Sequence, residues 1–285
     1  MPATGGDATE PHSSPYDGGH YLLEHSFIPI HGVGESREVA IWRSGIRTWH
    51  DFLEKRSFKY PWLARLSPKV EESLERLNDR DAFFFHSNLP STERWRLYDA
   101  FKTNCGFLDI ETTGLDPSTD TITVAGLFNG RGLKTFIRGK NLEELIPEIK
   151  RHSLLVTYGG SCFDLPFIRG QFNVTHLCDA HIDPRYVLAR LGYKGRLKRI
   201  EKRFGLQRKG PIAEVDGSVA PLLWRQYKSG SSKALETLIR YNAEDATSLQ
   251  VLMQKAYALS LKKIPIHVAA QLRVVGNQSY QMLVM

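Results

Sequence analysis

Two acidic residues, Asp109 and Glu111, stand two positions apart in residues 106–111, whose short alternating apolar pattern predicts a β-strand. Side chains two apart on a strand point to the same side. The pattern therefore predicts a carboxylate pair on one face, with Leu108 and Ile110 in the core. Two carboxylates about 4 Å apart repel each other by roughly 4 kcal/mol at an effective dielectric constant near 20. A protein that builds such a pair usually offsets the repulsion with a proton or a divalent cation.

Two further acids occupy positions from which they could join this pair. Asp164 follows two glycines at the predicted junction between an apolar strand and a helix. Asp245 lies in a long predicted helix, and Tyr241 is four residues before it, so the two share a helix face. A phenol and a carboxylate on one face can hold a water molecule between a metal ion and a phosphate. Each pattern alone is typical of an ordinary surface, and the hypothesis depends on the order in which the three occur.

The elements that must position these acids predict an α/β fold. Three β-prone segments lie close together, at 105–111, 121–128 and 133–137. Their closeness predicts an antiparallel meander. A helix and an apolar strand are predicted next, at 142–152 and 154–158. Further helices are predicted at 184–192, 197–205, 218–228 and about 232–261. This order describes a mixed sheet flanked by helices, the outline of a ribonuclease H-like fold.

Composition divides the chain into four parts. Residues 1–20 are rich in Gly, Pro, Ser and acidic residues, which predicts a disordered tail. A small helical region is predicted at 21–95, ahead of the α/β domain at 96–261. Residues 262–285 form a C-terminal extension, either an extra strand or a tail that docks a partner.

The N-terminal region contains a Gly-x-Gly turn, Gly32 and Gly34, ahead of a predicted helix at 36–43. The stretch resembles a helix-hairpin-helix, in which glycine lets a phosphate approach the backbone N–H groups of a helix N-terminus. A plain helical hairpin fits the sequence as well as a DNA-binding one. Glu35 beside the turn adds negative charge, which disfavours phosphate binding.

The charge of the chain is concentrated in one tract. The formal net charge is +7 and the pI about 9.2. Residues 185–210 carry ten lysines and arginines against a single acid, Glu201, so the rest of the chain is slightly acidic. A basic tract of this kind indicates a polyanionic partner such as nucleic acid. A solvated helix face is the alternative.

Cysteine usage and hydropathy favour a cytoplasmic protein. The chain has three cysteines, an odd number without a CxxC motif, which predicts reduced thiols and disfavours a zinc site. The sequence shows no apolar run near the roughly 18 residues that span a bilayer, and it does not begin with the basic-then-apolar pattern of a signal peptide.

The order of the acidic motifs resembles that of the DEDD superfamily of 3′→5′ exonucleases, the DnaQ-like branch of the ribonuclease H fold. The motifs are DIETTGL at 109–115, FDLPFI at 163–168 and YNAEDATSL at 241–249. With HID at 181–183, RLKRIE at 196–201 and the N-terminal GVGE, GIRTW and WRLY segments, they are similar to the YprB-like "ribonuclease H-like domain" group. The resemblance spans roughly residues 22–260.

The resemblance implies a set of roles. Two Mg²⁺ or Mn²⁺ ions would be bound by four acids, Asp109, Glu111, Asp164 and Asp245. The third motif carries Tyr241 four residues before its last acid, and Arg240 rather than histidine five before it, which indicates the tyrosine form of the family. Tyr241 would orient the attacking water. The terminal nucleotide would contact Thr112, Thr113 and Gly114. Phosphates of the strand would bind the basic helix at Lys198, Arg199, Lys202 and Arg203.

The chain departs from the family at Gly159, where the second motif commonly has an asparagine that positions the substrate strand. Asp183 is read as a structural helix cap in preference to indirect support of the metal site. The leading hypothesis is a metal-dependent 3′→5′ exonuclease acting on single-stranded or frayed DNA or RNA. The alternatives are a non-catalytic nucleic-acid-binding protein on the same fold and an endonuclease that the N-terminal hairpin guides to junctions or flaps.

Overall fold

The computed structural model describes residues 21–55, 57–58, 60–206 and 219–264. The tail predicted at 1–20, the last basic residues of the tract and most of the extension predicted at 262–285 lie outside the described residues. The assignments made for those segments therefore stay predictions.

A five-stranded mixed sheet forms the centre of the fold. Its strands are β1 (Cys105–Thr112), β2 (Ile122–Phe128), β3 (Leu133–Ile137), β4 (Leu154–Val156) and β5 (Ala180–Ile182). The spatial order is β3-β2-β1-β4-β5; β2 pairs antiparallel with both β1 and β3, whereas β4 pairs parallel with both β1 and β5. The predicted antiparallel meander followed by a parallel strand is confirmed, and with it the α/β fold class. Strand β5 was not predicted, because its pairing with β4 leaves no pattern in its own short sequence.

Helices cover both faces of the sheet. The helices of the described residues, in chain order, are α1 (Glu35–Arg43), α2 (Trp49–Glu54), α3 (Pro61–Ala64), α4 (Ser67–Asn78), α5 (Ala82–Asn88), α6 (Leu97–Phe101), α7 (Leu145–Ile149), α8 (Asp164–Phe172), α9 (Pro184–Arg190), α10 (Leu197–Arg203), α11 (Ala220–Lys228) and α12 (Ser232–Leu261). Short 3-10 helices occur at Leu22–His25, Arg94–Arg96, Lys102–Asn104 and Leu142–Glu144. The helix predicted at 142–152 is therefore a 3-10 turn followed by the short α7.

The central strand β1 is buried on both faces. Phe107 joins the core cluster that contains Leu249 and Leu252 of α12. Leu108 and Ile110 point the other way, into a second cluster that contains side chains of α8. Both faces of β1 are covered, so alternate side chains of the strand enter two different core clusters. Asp109 and Glu111 lie on the same face as Phe107, the face covered by α12.

The helical N-terminal region packs directly on the longest helix. Trp95 and Tyr98 contact Tyr257 of α12, with ring centroids 5.8 and 5.7 Å apart. One continuous core cluster runs from Leu22 to residues of α12. The two predicted parts share this core. The domain boundary at residues 95–96 stays a prediction.

The segment before the Gly-x-Gly turn differs from the expected hairpin. Only the 3-10 helix Leu22–His25 precedes the turn within the described residues, so the first α-helix of a helix-hairpin-helix is missing there. Gly32 has a φ of +88°, and Gly34 caps α1 in an extended conformation. Arg37 donates a hydrogen bond to the Gly32 carbonyl, which holds the turn from within the protein.

None of the helices in the described part of the chain is both long and apolar enough to cross a membrane.

Candidate active site

Three of the predicted acids meet at one end of β1. Asp109 and Glu111 lie on the strand, and Asp245 reaches them from the middle of α12. One carboxylate oxygen from each lies within 4.8 Å of the others. Glu111 and Asp245 are each 6% exposed and Asp109 is half-buried, so the group is shielded from water on most sides. The structure thus brings together residues 136 positions apart in a cluster that could bind a cation.

Asn242 on α12 fixes Asp109 in this cluster. Its amide Nδ2 donates to the Asp109 backbone carbonyl at 3.0 Å and to Oδ2 of the same residue at 2.8 Å. Gly126 on β2 pairs with Asp109 and leaves room for that amide, because a Cβ at this glycine would come within 2.5 Å of Asn242 Oδ1. The helix therefore lies close to the sheet where the acids meet. Leu238 and Leu249, both fully buried, hold it there through apolar packing.

Asp164 lies beside this group of three acids, on the side of β4. The parallel pairing of β1 with β4 ends at Phe107, and the Ile110 N–H farther along donates to Asp164 Oδ1 at 3.2 Å. Gly160 allows this placement, since a Cβ there would be 2.9 Å from Asp164 Oδ2 and 2.0 Å from Thr157 Oγ1. Asp164 is outside the trio that meets within 4.8 Å, although its charge acts on Asp109.

The pKa is raised at two of the acids, Asp109 and Asp164. Burial is the largest cause for Asp109, followed by the charges of Asp245, Glu111 and Asp164, and together they hold its pKa well above the usual range. Burial, with the charges of Asp183 and Asp245, raises the pKa of Asp164 to about 7. Carboxyl groups in this state hold protons near neutral pH unless a cation replaces them.

Tyr241 lies under a lysine from another element. The Lys198 Nζ on α10 is 4.5 Å from the centroid of the Tyr241 ring, which is itself 5% exposed. A cation over an aromatic face is attracted by the ring electrons. Of the four predicted phosphate-binding residues, Lys198 is thus the one that reaches the site, while the other three are exposed on α10: Arg199, Lys202 and Arg203.

The turn after β1 is held by its own side chains. Thr112 Oγ1 donates to the Gly114 carbonyl, and Thr113 Oγ1 donates to Asp120 Oδ1 at 2.9 Å. A Cβ at Gly114 would come within 2.3 Å of Asp120 Oδ2, so the turn needs a glycine there. The predicted nucleotide contacts of Thr112, Thr113 and Gly114 stay predictions, and the two hydroxyl groups already have partners within the chain.

Asp183 is the N-cap of α9, as predicted. Its Oδ1 accepts from Arg185 N at 3.1 Å and from Gly159 N at 2.9 Å, and its Oδ2 accepts from Ser161 Oγ at 3.2 Å. The same carboxylate therefore caps a helix and holds the turn that leads into Asp164.

Sequence reasoning missed Asn242 and Asp120. Asn242 directly follows Tyr241, and its role depends on contacts with β1 and β2 more than 100 residues away. Asp120 has a local signal, since an acid a few residues after Thr-Thr-Gly is typical of a turn cap.

Comparisons with known proteins identify the fold family. A family model described as the RNase_H superfamily matches residues 106–257. No curated protein matches the chain. Similar solved structures include the family B DNA polymerase from the hyperthermophilic archaeon Pyrobaculum calidifontis, at 17% identity and a TM-score of 0.44. Another is Brucella melitensis NrnC, at 18% identity and a TM-score of 0.41, which has also been solved with bound Mg²⁺ and with pGG. The match covers 58% of this chain and 27% of the polymerase, against 62% and 84% for NrnC.

Proposed function

The chain belongs to the ribonuclease H superfamily, and we propose that it is a metal-dependent 3′→5′ exonuclease that hydrolyses phosphodiester bonds of single-stranded or frayed nucleic acid. The observation that carries this proposal is the convergence of Asp109, Glu111 and Asp245 within 4.8 Å, with Asp164 beside them. The tyrosine four residues before Asp245 supports the tyrosine form of the DEDD superfamily.

The donor atoms fit a hard divalent cation. All four acids offer carboxylate oxygens, which suit Mg²⁺ and Mn²⁺ better than zinc. The shared rise in pKa means that cations would relieve a repulsion that the fold maintains in their absence. When bound, two such ions lower the pKa of an attacking water and neutralise the charge that develops on the phosphate. We propose that the four acids hold both ions.

The remaining residues position the substrate and the water. Tyr241 would hold the attacking water through its hydroxyl, and Lys198 over its ring adds positive charge where the phosphate becomes more negative. Asn242 keeps Asp109 in place. The turn at 112–114 would contact the terminal nucleotide, and the exposed cations of α10 would bind phosphates farther along the strand. A cytoplasmic location and a DNA-binding role for Gly32 and Gly34 stay predictions.

The test is a cleavage assay on linear and circular single-stranded substrates. A 5′-labelled DNA or RNA oligonucleotide with Mg²⁺ or Mn²⁺ should shorten stepwise from its 3′ end and release mononucleotides, and a chelator should stop the reaction. A circular strand should stay intact, since an exonuclease has no end from which to begin. Cutting of the circle would identify an endonuclease instead. Tight binding of the strand without any product, under every metal condition, would indicate a non-catalytic binding protein.

A further inference from the structure

The first turn of α9 is joined to the turn that carries Asp164. Asp183 accepts hydrogen bonds from the backbone N–H groups of Arg185 and Gly159, at 3.1 and 2.9 Å. Asp183 is 8% exposed, so this link is almost withdrawn from water. The backbone of the first turn of α9 is therefore held at a fixed position relative to the acidic site.

The guanidinium of Arg185 lies over this same turn. A Cβ at Gly159 would be 3.0 Å from Arg185 Nη1, and a Cβ at the next residue, Gly160, would be 2.9 Å from Asp164 Oδ2. A cation and a proposed metal ligand thus flank two consecutive glycines. Arg185 is exposed, so its donors are open to an anion that approaches the acids. Arginine suits this role because its planar group binds phosphate through two hydrogen bonds.

Tyr186 presents an aromatic ring beside that arginine. Its side chain is 47% exposed, and its hydroxyl lies 3.1 Å from the Sγ of Cys162, two residues before Asp164. The contact fixes one end of the ring against the turn while the rest is open to solvent. Exposed rings held in this way serve as stacking platforms for unpaired bases.

We propose that Arg185 and Tyr186 bind the nucleotide adjacent to the one removed, the arginine through its phosphate and the tyrosine through its base. This inference rests on the proposed function and deepens it, because it assigns a substrate subsite to α9. The subsite also leads toward the basic helix, since Tyr158 next to the same turn donates its hydroxyl to the Gly195 carbonyl at 2.9 Å, just before α10. Arg185 and Tyr186 therefore lie near the segment that leads into α10.

The test compares a strand with a substrate that lacks the adjacent nucleotide. The strand is an oligothymidylate of about ten nucleotides, and the small substrate is the p-nitrophenyl ester of thymidine 5′-monophosphate. For Arg185→Gln and Tyr186→Ala we expect KM for the strand to rise about 10-fold with kcat within twofold, in line with the worth of one stacked base or phosphate contact. The kinetics on the ester should be unchanged. Arg131→Gln removes the same charge from an exposed position in the β2–β3 turn, at the far end of the sheet, and should alter neither substrate.

A second measurement keeps the subsite testable apart from catalysis. Fluorescence anisotropy of a labelled oligothymidylate with Ca²⁺ should show about 10-fold weaker binding for both α9 variants than for wild type and Arg131→Gln. Equal slowing of the reactions on strand and ester would mean that Arg185 contacts the scissile phosphate or stabilises the fold. Unchanged strand binding would mean that neither residue contacts the substrate. Each result overturns the inference. A wild-type protein that binds the strand through α9 but hydrolyses neither substrate would contradict the proposed function alone.

Discussion

Two clusters of acids in this molecule differ in how their negative charge is compensated. Near the N-terminus, Glu38 is 1% exposed and its Oε1 accepts from Arg96 Nη1 at 3.0 Å, from Ser26 Oγ at 3.0 Å and from Phe27 N at 2.8 Å. Arg96 Nε also donates to Glu93 Oε2 at 2.9 Å. At the end of β1, the carboxylate of Asp109 instead accepts from a neutral amide, and the charges that raise its pKa are those of other acids.

This difference distinguishes a structural cluster from a site that is suited to bind a cation. Burial raises the pKa of Glu38, but Arg96 opposes the rise, so the protein supplies the compensating charge itself. At Asp109, burial and the charges of Asp245, Glu111 and Asp164 all raise the pKa, and the hydrogen bond from Asn242 opposes the rise. Burying a charged group costs several kcal/mol of desolvation free energy, and we attribute that cost at Asp109 to the function of the β1 cluster.

The largest expected effect is the loss of activity in Asp109→Asn. Removing one proposed ligand should lower kcat at least about 1,000-fold, a loss comparable to that of other preorganised electrostatic groups. The same change should leave the metal-free protein as stable as wild type or more stable, because it removes repulsion from a buried cluster. Nuclease assays and urea denaturation with a chelator measure the two effects. A large loss of metal-free stability would mean that the cluster is structural, like the one around Glu38.

The next effect falls on stability and comes from Arg96→Met. This change leaves Glu38 buried without its cation and leaves Glu93 with Arg190 alone, whose Nη1 is 3.0 Å from Glu93 Oε1. We expect a cost of about 3–5 kcal/mol in the free energy of unfolding. Arg76→Met is the matched control, since Arg76 is 47% exposed and pairs with Glu72 and Asp81 at the surface. We expect less than about 1 kcal/mol for that control. Equal losses in both variants, measured by urea denaturation, would contradict the structural role assigned to the N-terminal cluster.

Asp183→Ala should separate capping from support of the acidic site. The change removes the N-cap bond to Arg185 N of α9 and three hydrogen bonds from Gly159 and Ser161 in the turn that leads into Asp164, so kcat should fall about 10- to 100-fold. Asp81→Ala removes a comparable cap from α5, where Asp81 Oδ1 accepts from Phe84 N at 2.8 Å. Both variants should lose about 1 kcal/mol of stability. Full activity in Asp183→Ala would show that its carboxylate is a cap alone.

The smallest effect concerns His86, a half-buried group whose pKa the fold lowers. Burial, followed by the charge of Arg94, lowers the pKa of His86 to about 4. The unfolded chain takes up a proton near pH 6.5, so it binds more protons than the folded state between pH 6.5 and about 4. The free energy of unfolding should therefore fall as the pH drops through that window.

His86→Leu should remove part of this pH dependence, on the order of 1 kcal/mol, because the half-buried ring is partly screened by water. His50→Leu, at an exposed position on α2, should keep the wild-type slope. Denaturation at several pH values measures both. An unchanged slope in His86→Leu would show that protonation of this ring does not limit stability in acid.

The sequence predicted the elements that have local signals. The alternation in β1, the glycines before Asp164 and the periodicity of α12 are each visible within a few residues. The elements that carry the acids could therefore be predicted. Strand β5 was missed because its hydrogen bonds come from β4, which short-range patterns do not encode. The fit of Asn242 over Gly126 and the placement of Lys198 on Tyr241 depend on packing between distant elements. The ion pair of Arg96 with Glu38 joins residues 58 positions apart, and their sequence context resembles that of ordinary surface charges.

The most direct test of the account is a calorimetric titration of Mn²⁺ into the protein near neutral pH. We expect wild type to bind about two ions per chain, and Asp109→Asn to lose most of that binding. Asp79→Asn, which removes an exposed acid after α4, should bind as wild type does. Mn²⁺ binding by Asp109→Asn equal to that of wild type, or its absence from both, would contradict the claim that the acids at the end of β1 form a metal site.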